Sequence, residues 1–229
     1  PLSDNNVDMF EECINSIKNN PVEGHNNVFM IEGEEPVYVM LEEFKSGNET
    51  TGMLMDVTEN VKYDIKLKNE RDRDVLTGLY NRRGFLENAI DKVKNATGCY
   101  ILCIYADLDH LKQINDEFGH QEGDFAIKTA ANFLKDSLRS TDIIGRIGGD
   151  EFAAVAVISR EDLSTVICER ITNLSQTFNT ISEKPYYIEI SIGYSVSKYS
   201  DTIELNRMLS AADLMLYENK KKRRKSAKK

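Results

Sequence analysis

The chain has 229 residues, of which 41% are hydrophobic and 29% charged, and its formal net charge at neutral pH is −9. These values leave room for one large domain or two smaller ones and exclude a disordered or collagen-like chain. No apolar run approaches the roughly 20 residues of a bilayer-spanning helix, and an acidic body argues against a duplex-binding face, so no nucleic-acid partner is expected. The opening residues PLSDNNVDMF carry neither the basic start nor the apolar stretch of a secretory leader. A cytoplasmic location follows as the expectation, and a membrane anchor upstream in a longer parent stays compatible with it. Cys13, Cys99, Cys103 and Cys168 are scattered without a zinc-type spacing and read as reduced thiols.

Met9, Cys13, Ile14 and Ile17 recur at helical spacing and predict a helix over Asp8 to Lys18. VFMI, PVYVMLEEF and TTGMLMDVT then read as short strands, broken at Gly33, Gly47–Asn48 and Gly52. Residues 1–58 are therefore expected to form a small antiparallel segment. Asp56, with Glu59 three residues on, has the pattern of a capping box. Val57, Val61 and Ile65 follow at intervals of four, so residues 59–73 read as a linker helix too weakly patterned for a coiled coil.

From residue 74 helical and strand patterns interleave. A helix is predicted from Phe85 to Val93 and an apolar strand over 99–106. A second helix is predicted over 122–140, with Phe125, Ala126, Ala130, Phe133, Leu134 and Leu138 on one side. Ile143 to Ile147 and Phe152 to Ile158 form a hairpin. A helix over 160–178, a strand over 186–196 and a last helix over 203–222 complete the chain. The fold class expected is α+β, an α/β sandwich of helices around one sheet.

Two stretches concentrate acids at strand ends. In YADLDHLKQINDEFGHQEGD (105–124), Asp107 and Asp109 follow a buried strand at once, where carboxylates can hold a divalent cation. A solvated turn with Asp109 as a helix cap explains the same residues. In GRIGGDEFAA (145–154), Asp150 and Glu151 stand side by side at a bend, and their repulsion calls for a cation or a compensating turn geometry. Gly148 and Gly149 supply a tight bend and let a ligand approach the backbone. If this hairpin pairs beside the 99–106 strand, Asp150 comes near Asp107 and one ion serves both.

DVLTGLYNRRGF (74–85) and RIGGDEF (146–152) resemble the GGDEF domain family, the diguanylate cyclases. The likeness runs from about Asp74 to Lys225. It includes DLDHLKQINDEFGHQEGD, LRSTD, SIGYS and ADLMLYENK in the family's order. The resemblance implies a mostly antiparallel sheet surrounded by helices, similar to adenylyl cyclase and polymerase palm domains, over residues 74–229. It implies condensation of two GTP molecules into cyclic di-GMP with release of two pyrophosphates. The cofactor implied is Mg²⁺, two ions per active site, with Mn²⁺ able to substitute. Each domain holds one GTP, so a homodimer is required.

Carried over position by position, the resemblance implies a metal site of Asp107, the Leu108 carbonyl, Asp150 and Glu151. Glu151, with Asp150, is the catalytic acid pair, and Glu151 assists deprotonation of the ribose 3′-hydroxyl. Asn115 and Asp124 hydrogen-bond the guanine edge: a carboxylate accepts from N1–H and the exocyclic amine, and an amide pairs with the remaining edge atoms. Lys112, Gly148, Gly149, Lys220 and Arg224 complete the nucleotide contacts, with Lys220 and Arg224 on the triphosphate. The family usually has glycine where this chain has Arg223, and more often phenylalanine at Leu111. Arg139 and Asp142, in RSTD, match the inhibitory product site, with Arg170 as a further contact. His110 and His120 belong to the family's loop pattern and are given no ligand role. The alternative is a catalytically silent receptor of GTP or cyclic di-GMP, although this chain keeps the turn acids that receptor members commonly lose. GMLMDVTENVKYD (52–64) resembles the closing strand and exit of a PAS sensor domain, so residues 1–58 are expected to be a partial PAS-like sensor or dimerisation segment.

Overall fold

The computed structural model describes residues 12, 14–47, 49–94, 96, 99–200 and 204–226, without the side chains at 45, 46, 49, 50 and 223–226. Residues 14–18 are helical; the start of the helix expected from Asp8, together with Cys13 and Asn48, lies outside the described residues. The chain divides into two compact units, Pro1–Asn69 and Glu70–Lys229.

The first unit contains an antiparallel meander of β1 (Val28–Ile31), β2 (Val37–Ser46) and β3 (Glu49–Asp56), in the order β1-β2-β3. Val28, Val39 and Leu41 are buried, as period-two alternation requires when one sheet face is covered. Helix α1 (Thr58–Asp72) begins where the Thr58 amide donates to Asp56 Oδ1 at 2.9 Å. Hydrogen bonding from Thr58 holds the Asp56 carboxyl below its usual range. The division between the units falls inside α1.

The second unit comprises α2 (Arg82–Lys94), β4 (Tyr100–Leu108), α3 (Leu111–Phe118), α4 (His120–Ser137), β5 (Ile143–Arg146), β6 (Glu151–Ile158), α5 (Leu163–Ile181), β7 (Ile190–Lys198) and α6 (Leu205–Ser226). Its sheet has the order β5-β6-β4-β7, and every neighbouring pair is antiparallel. Central β4 is covered on both faces, which is why it reads as an unbroken apolar run. Leu102, Ile104, Ala106 and Leu108 belong to one core layer with Ala126, Ala130, Phe133 and Leu134 of α4 and Ile171 of α5. Ile101 and Cys103 belong to the other, with Phe85, Ala89 and Val93 of α2 and Leu205, Met208 and Leu209 of α6. Burial pushes the thiol of Cys103, and that of Cys168 in α5, up to about 12.

Two elements differ from the sequence pattern. Strand β7 starts at Ile190, not at Tyr186. The preceding residues bond to α5 instead: the Ile188 carbonyl accepts from Ser175 Oγ at 2.6 Å and Asn179 Nδ2 at 3.0 Å, and its amide donates to Asn179 Oδ1 at 2.8 Å. A separate helix, α3, occupies 111–118, a stretch to which the sequence pattern assigns no element of its own beyond a turn with Asp109 as a candidate helix cap. It is entered through His110 in the left-handed region (φ 61°), and no side chain caps it. Asp109 therefore does not cap this helix; its Oδ2 accepts from Ser191 Oγ at 2.5 Å. Among the described residues no helix is long and apolar enough to cross a membrane.

Candidate active site

The antiparallel register places Asp107, near the end of β4, directly opposite Glu151, the first residue of β6, and opposite Ser191 of β7. The Leu108 amide donates to the Asp150 carbonyl at 2.9 Å, which fixes the turn against β4. Asp150, one residue before β6, and Asp109, one residue after β4, are close enough to raise the Asp107 pKa. Burial is the larger cause of that rise, and the ammonium of Lys220 opposes it. Thus acids from two distant stretches of chain meet at one end of the sheet.

The turn is a compact loop. Ile147 and Gly148 amides donate to the Glu151 carbonyl at 2.8 and 3.3 Å. Neither Gly148 nor Gly149 adopts a left-handed backbone, so the bend does not require glycine for its dihedrals. Gly148 is needed for space: a Cβ there would stand 2.5 Å from Glu151 Oε2. Gly149 faces open space.

Arg146, the last residue of β5, holds this turn from below. Its Nε and Nη2 donate to the Gly149 carbonyl at 3.1 and 2.7 Å, and its Nη1 lies 3.2 Å from Asp74 Oδ2. Asp74 also accepts from the Thr77 amide at 2.9 Å and the Thr77 hydroxyl at 2.7 Å. Burial alone would raise the Asp74 pKa; the Thr77 bonds and the Arg146 charge outweigh it and hold the carboxyl below its usual range. Sequence reading passed over Arg146 and Asp74 as functional residues. An arginine immediately before an apolar residue and a double glycine was the available signal, but its partner lies 72 residues away.

Lys220 reaches down from α6. Its ammonium donates to Asp107 Oδ1 and lies 3.3 Å from Asp109 Oδ1. Its side chain is 23% exposed and that of Asp107 is 18% exposed, so the pair is largely withdrawn from water. Tyr105, below Asp107 on the same strand, has its hydroxyl pKa raised by burial and by the charges of Glu151 and Asp213.

The donor set suits a hard divalent ion. Hard oxygens crowd at one point, and the crowding already draws a positive partner. Among the described residues no three His, Cys, Asp or Glu side chains are grouped as a self-sufficient metal centre. An ion held here would have few protein ligands and would complete its shell with water and phosphate oxygens, as Mg²⁺ does.

Asn115 of α3 is half-buried and Asp124 of α4 is exposed. The two helices are joined at Gly119 (φ 90°), whose amide donates to the Asn115 carbonyl at 3.0 Å. Lys112 is exposed on α3. The Arg224 side chain lies outside the described residues.

Arg139 and Asp142 form a tight turn after α4. The Arg139 amide donates to Asp142 Oδ2 at 2.9 Å and the Asp142 amide to the Arg139 carbonyl at 2.9 Å. Both line a cavity of about 360 Å³, with Arg73, Tyr80 and Lys135 in the wall. The Arg73 guanidinium stacks 3.8 Å from the Tyr80 ring centroid. Arg170 is directed elsewhere: its guanidinium donates to the Ser137 carbonyl at the end of α4, and it is not among the residues lining the cavity. Arg73 and Lys135 escaped sequence reading because no local pattern ties them to residues 139–142.

The family model described as "Diguanylate cyclase, GGDEF domain" matches residues 71–226. "Probable diguanylate cyclase DgcJ" of Escherichia coli is 38% identical over 157 residues, covering 67% of this chain and 30% of that protein. "Diguanylate cyclase DgcS" of Shewanella oneidensis is 35% identical over 150 residues, covering 64% of this chain and 49% of that protein. The matched region thus spans less than half of these curated relatives. Among solved structures, the diguanylate cyclase SiaD of Pseudomonas aeruginosa, in complex with its activator SiaC, superposes with a TM-score of 0.60 at 27% identity. The match covers 72% of this chain and 64% of that one.

Proposed function

Because the chain belongs to the GGDEF domain family, we propose that it is a diguanylate cyclase, converting two GTP into cyclic di-GMP and two pyrophosphates as a homodimer. The observation that carries the reading is the cross-strand meeting of Asp107 with Glu151, with Asp150 pinned alongside and the Lys220 ammonium drawn in. Asp107, Asp150 and the Leu108 carbonyl hold Mg²⁺. The metal, when bound, supplies Lewis-acid stabilisation of phosphate charge and makes a ribose 3′-hydroxyl easier to ionise.

The chain's own groups do the rest. Asn115 and Asp124 hold the guanine edge. Lys220 passes from the carboxylates to the triphosphate, where a mobile ammonium offsets the charge that develops on the leaving pyrophosphate. Glu151, given room by Gly148, takes the proton of the attacking 3′-hydroxyl. Arg146 keeps the turn fixed so that these oxygens need no reorganisation during the reaction. Each domain presents one GTP, so two domains face one another for two successive attacks. Arg139 and Asp142 hold the product and slow the enzyme. The first unit serves as the input segment.

The test is incubation of the chain with GTP and Mg²⁺, followed by chromatographic detection of cyclic di-GMP. Native protein is expected to form it and Asp150→Ala to form none. Product formation undiminished by Asp150→Ala would overturn the metal assignment. Native protein that binds GTP or cyclic di-GMP without turnover would identify a receptor instead.

A further inference from the structure

Gly123 lies near the start of α4 and is buried, with no positive φ. Backbone freedom therefore does not explain it. Glycine is also a poorer helix former than alanine, so its presence inside a helix works against the helix. What explains it is the neighbour. A Cβ built on Gly123 would stand 2.0 Å from Asn115 Oδ1, 2.9 Å from its Cγ and 3.3 Å from its Nδ2. The Asn115 amide occupies the space a side chain would take. Asp124, the other base-reading residue proposed above, is the next residue on the same helix.

We propose that Gly123 is a positioning residue for nucleotide-base recognition. By withholding a side chain, it lets the Asn115 amide lie against the backbone of α4 and so sets the separation between that amide and the Asp124 carboxylate. A planar purine edge with adjacent donors and acceptors requires that separation to be held closely, because hydrogen bonds weaken steeply when misaligned. This inference rests on the assignment of Asn115 and Asp124 to the guanine edge. The clash affects the end of a flexible side chain, so the fold tolerates Gly123→Ala by turning Asn115 away. The cost falls on ligand recognition, and the helix gains a better helix former.

The experiment measures both quantities on four proteins: native, Gly123→Ala, Asn115→Ala and the double variant. Binding is read by calorimetry with Mg²⁺ and 3′-deoxy-GTP, which lacks the attacking hydroxyl and cannot turn over. Stability is read as the thermal unfolding midpoint. Gly123→Ala is expected to leave the midpoint unchanged or raised and to weaken binding about tenfold or more, as loss of one well-made polar contact does. The double variant is expected to bind no worse than Asn115→Ala, because the added methyl then meets empty space.

Weak binding by Asn115→Ala with native binding by Gly123→Ala would overturn the inference alone. A lowered midpoint in Gly123→Ala, with its binding loss undiminished in the Asn115→Ala background, would identify ordinary packing and also overturn it. Native binding by Asn115→Ala would overturn the base-reading assignment and this inference with it.

Discussion

Replacing Lys220 by methionine keeps most of the apolar stem and removes the charge that spans Asp107 and Asp109. That ammonium donates to Asp107 Oδ1 and stands 3.3 Å from Asp109 Oδ1, with 23% of its side chain exposed. A divalent ion entering the same carboxylates has to displace it. A hydrogen bond between charged groups is worth about 1.5–3 kcal/mol net. Residual exposure favours the lower end, and about 1.4 kcal/mol is tenfold in an equilibrium constant. Lys220→Met is therefore expected to bind Mn²⁺ alone about tenfold more tightly than native protein, and the triphosphate about tenfold more weakly. On the proposed roles, metal and triphosphate are then expected to assist one another in the native chain, because the triphosphate gives the displaced ammonium a new partner. Titration of free Mn²⁺ by electron paramagnetic resonance, with and without 3′-deoxy-GTP, reads both terms. Unchanged or weaker Mn²⁺ affinity in the nucleotide-free variant would refute the reasoning.

Removing the Arg146 charge with Arg146→Met leaves Asp74 partly buried without its guanidinium and frees the Gly149 carbonyl; unfolding by urea is expected to show a loss of about 1–3 kcal/mol, with turnover reduced further. The Asp74 carboxyl is held below its ordinary 3.8, so its contribution to stability is fully present above that value. It is lost as pH falls through the lower folded value, and acid titration of native protein against Asp74→Asn reads that difference. Gly193→Ala would place a Cβ 2.1 Å from the Ala212 carbonyl and 2.2 Å from the Leu216 amide; these are backbone atoms of α6 and cannot turn aside. It should cost about 3 kcal/mol or more, seen as a large fall in the unfolding midpoint. Arg139→Ala, with the cavity otherwise intact, is expected to raise cyclic di-GMP yield at high conversion. An unchanged yield, with no product bound to native protein, would argue against an inhibitory role.

Much of the fold was legible because the relevant patterns are local. The apolar run at 99–106 could be a doubly covered strand, and it is β4. The period of α4 showed its buried face, and the hairpin acids announced a turn. Helix α3 has a weaker local signature. Asp109 offers a start signal, but the N-cap position falls one residue later, on His110 in the left-handed region without a capping side chain, and Asp109 accepts from Ser191 of β7 instead. Helical periodicity placed Gly123 within a helix, but what it makes room for belongs to a different helix.

Residue order alone narrows the candidates for chemistry to acids at two strand ends and, through the family resemblance, a polar pair near a helix start and a basic last helix. Which of these candidates meet depends on the packed fold. The order β5-β6-β4-β7 sets Asp107 against Glu151, the packing of α6 brings Lys220 to a carboxylate 113 residues away, and Arg170 is drawn to Ser137 instead of the cavity beside Arg139. Periodicity reports which face of an element is apolar and is blind to which element covers it. Charges that are distant in sequence find their partners only when the sheet order and the helix packing have set the distances between them.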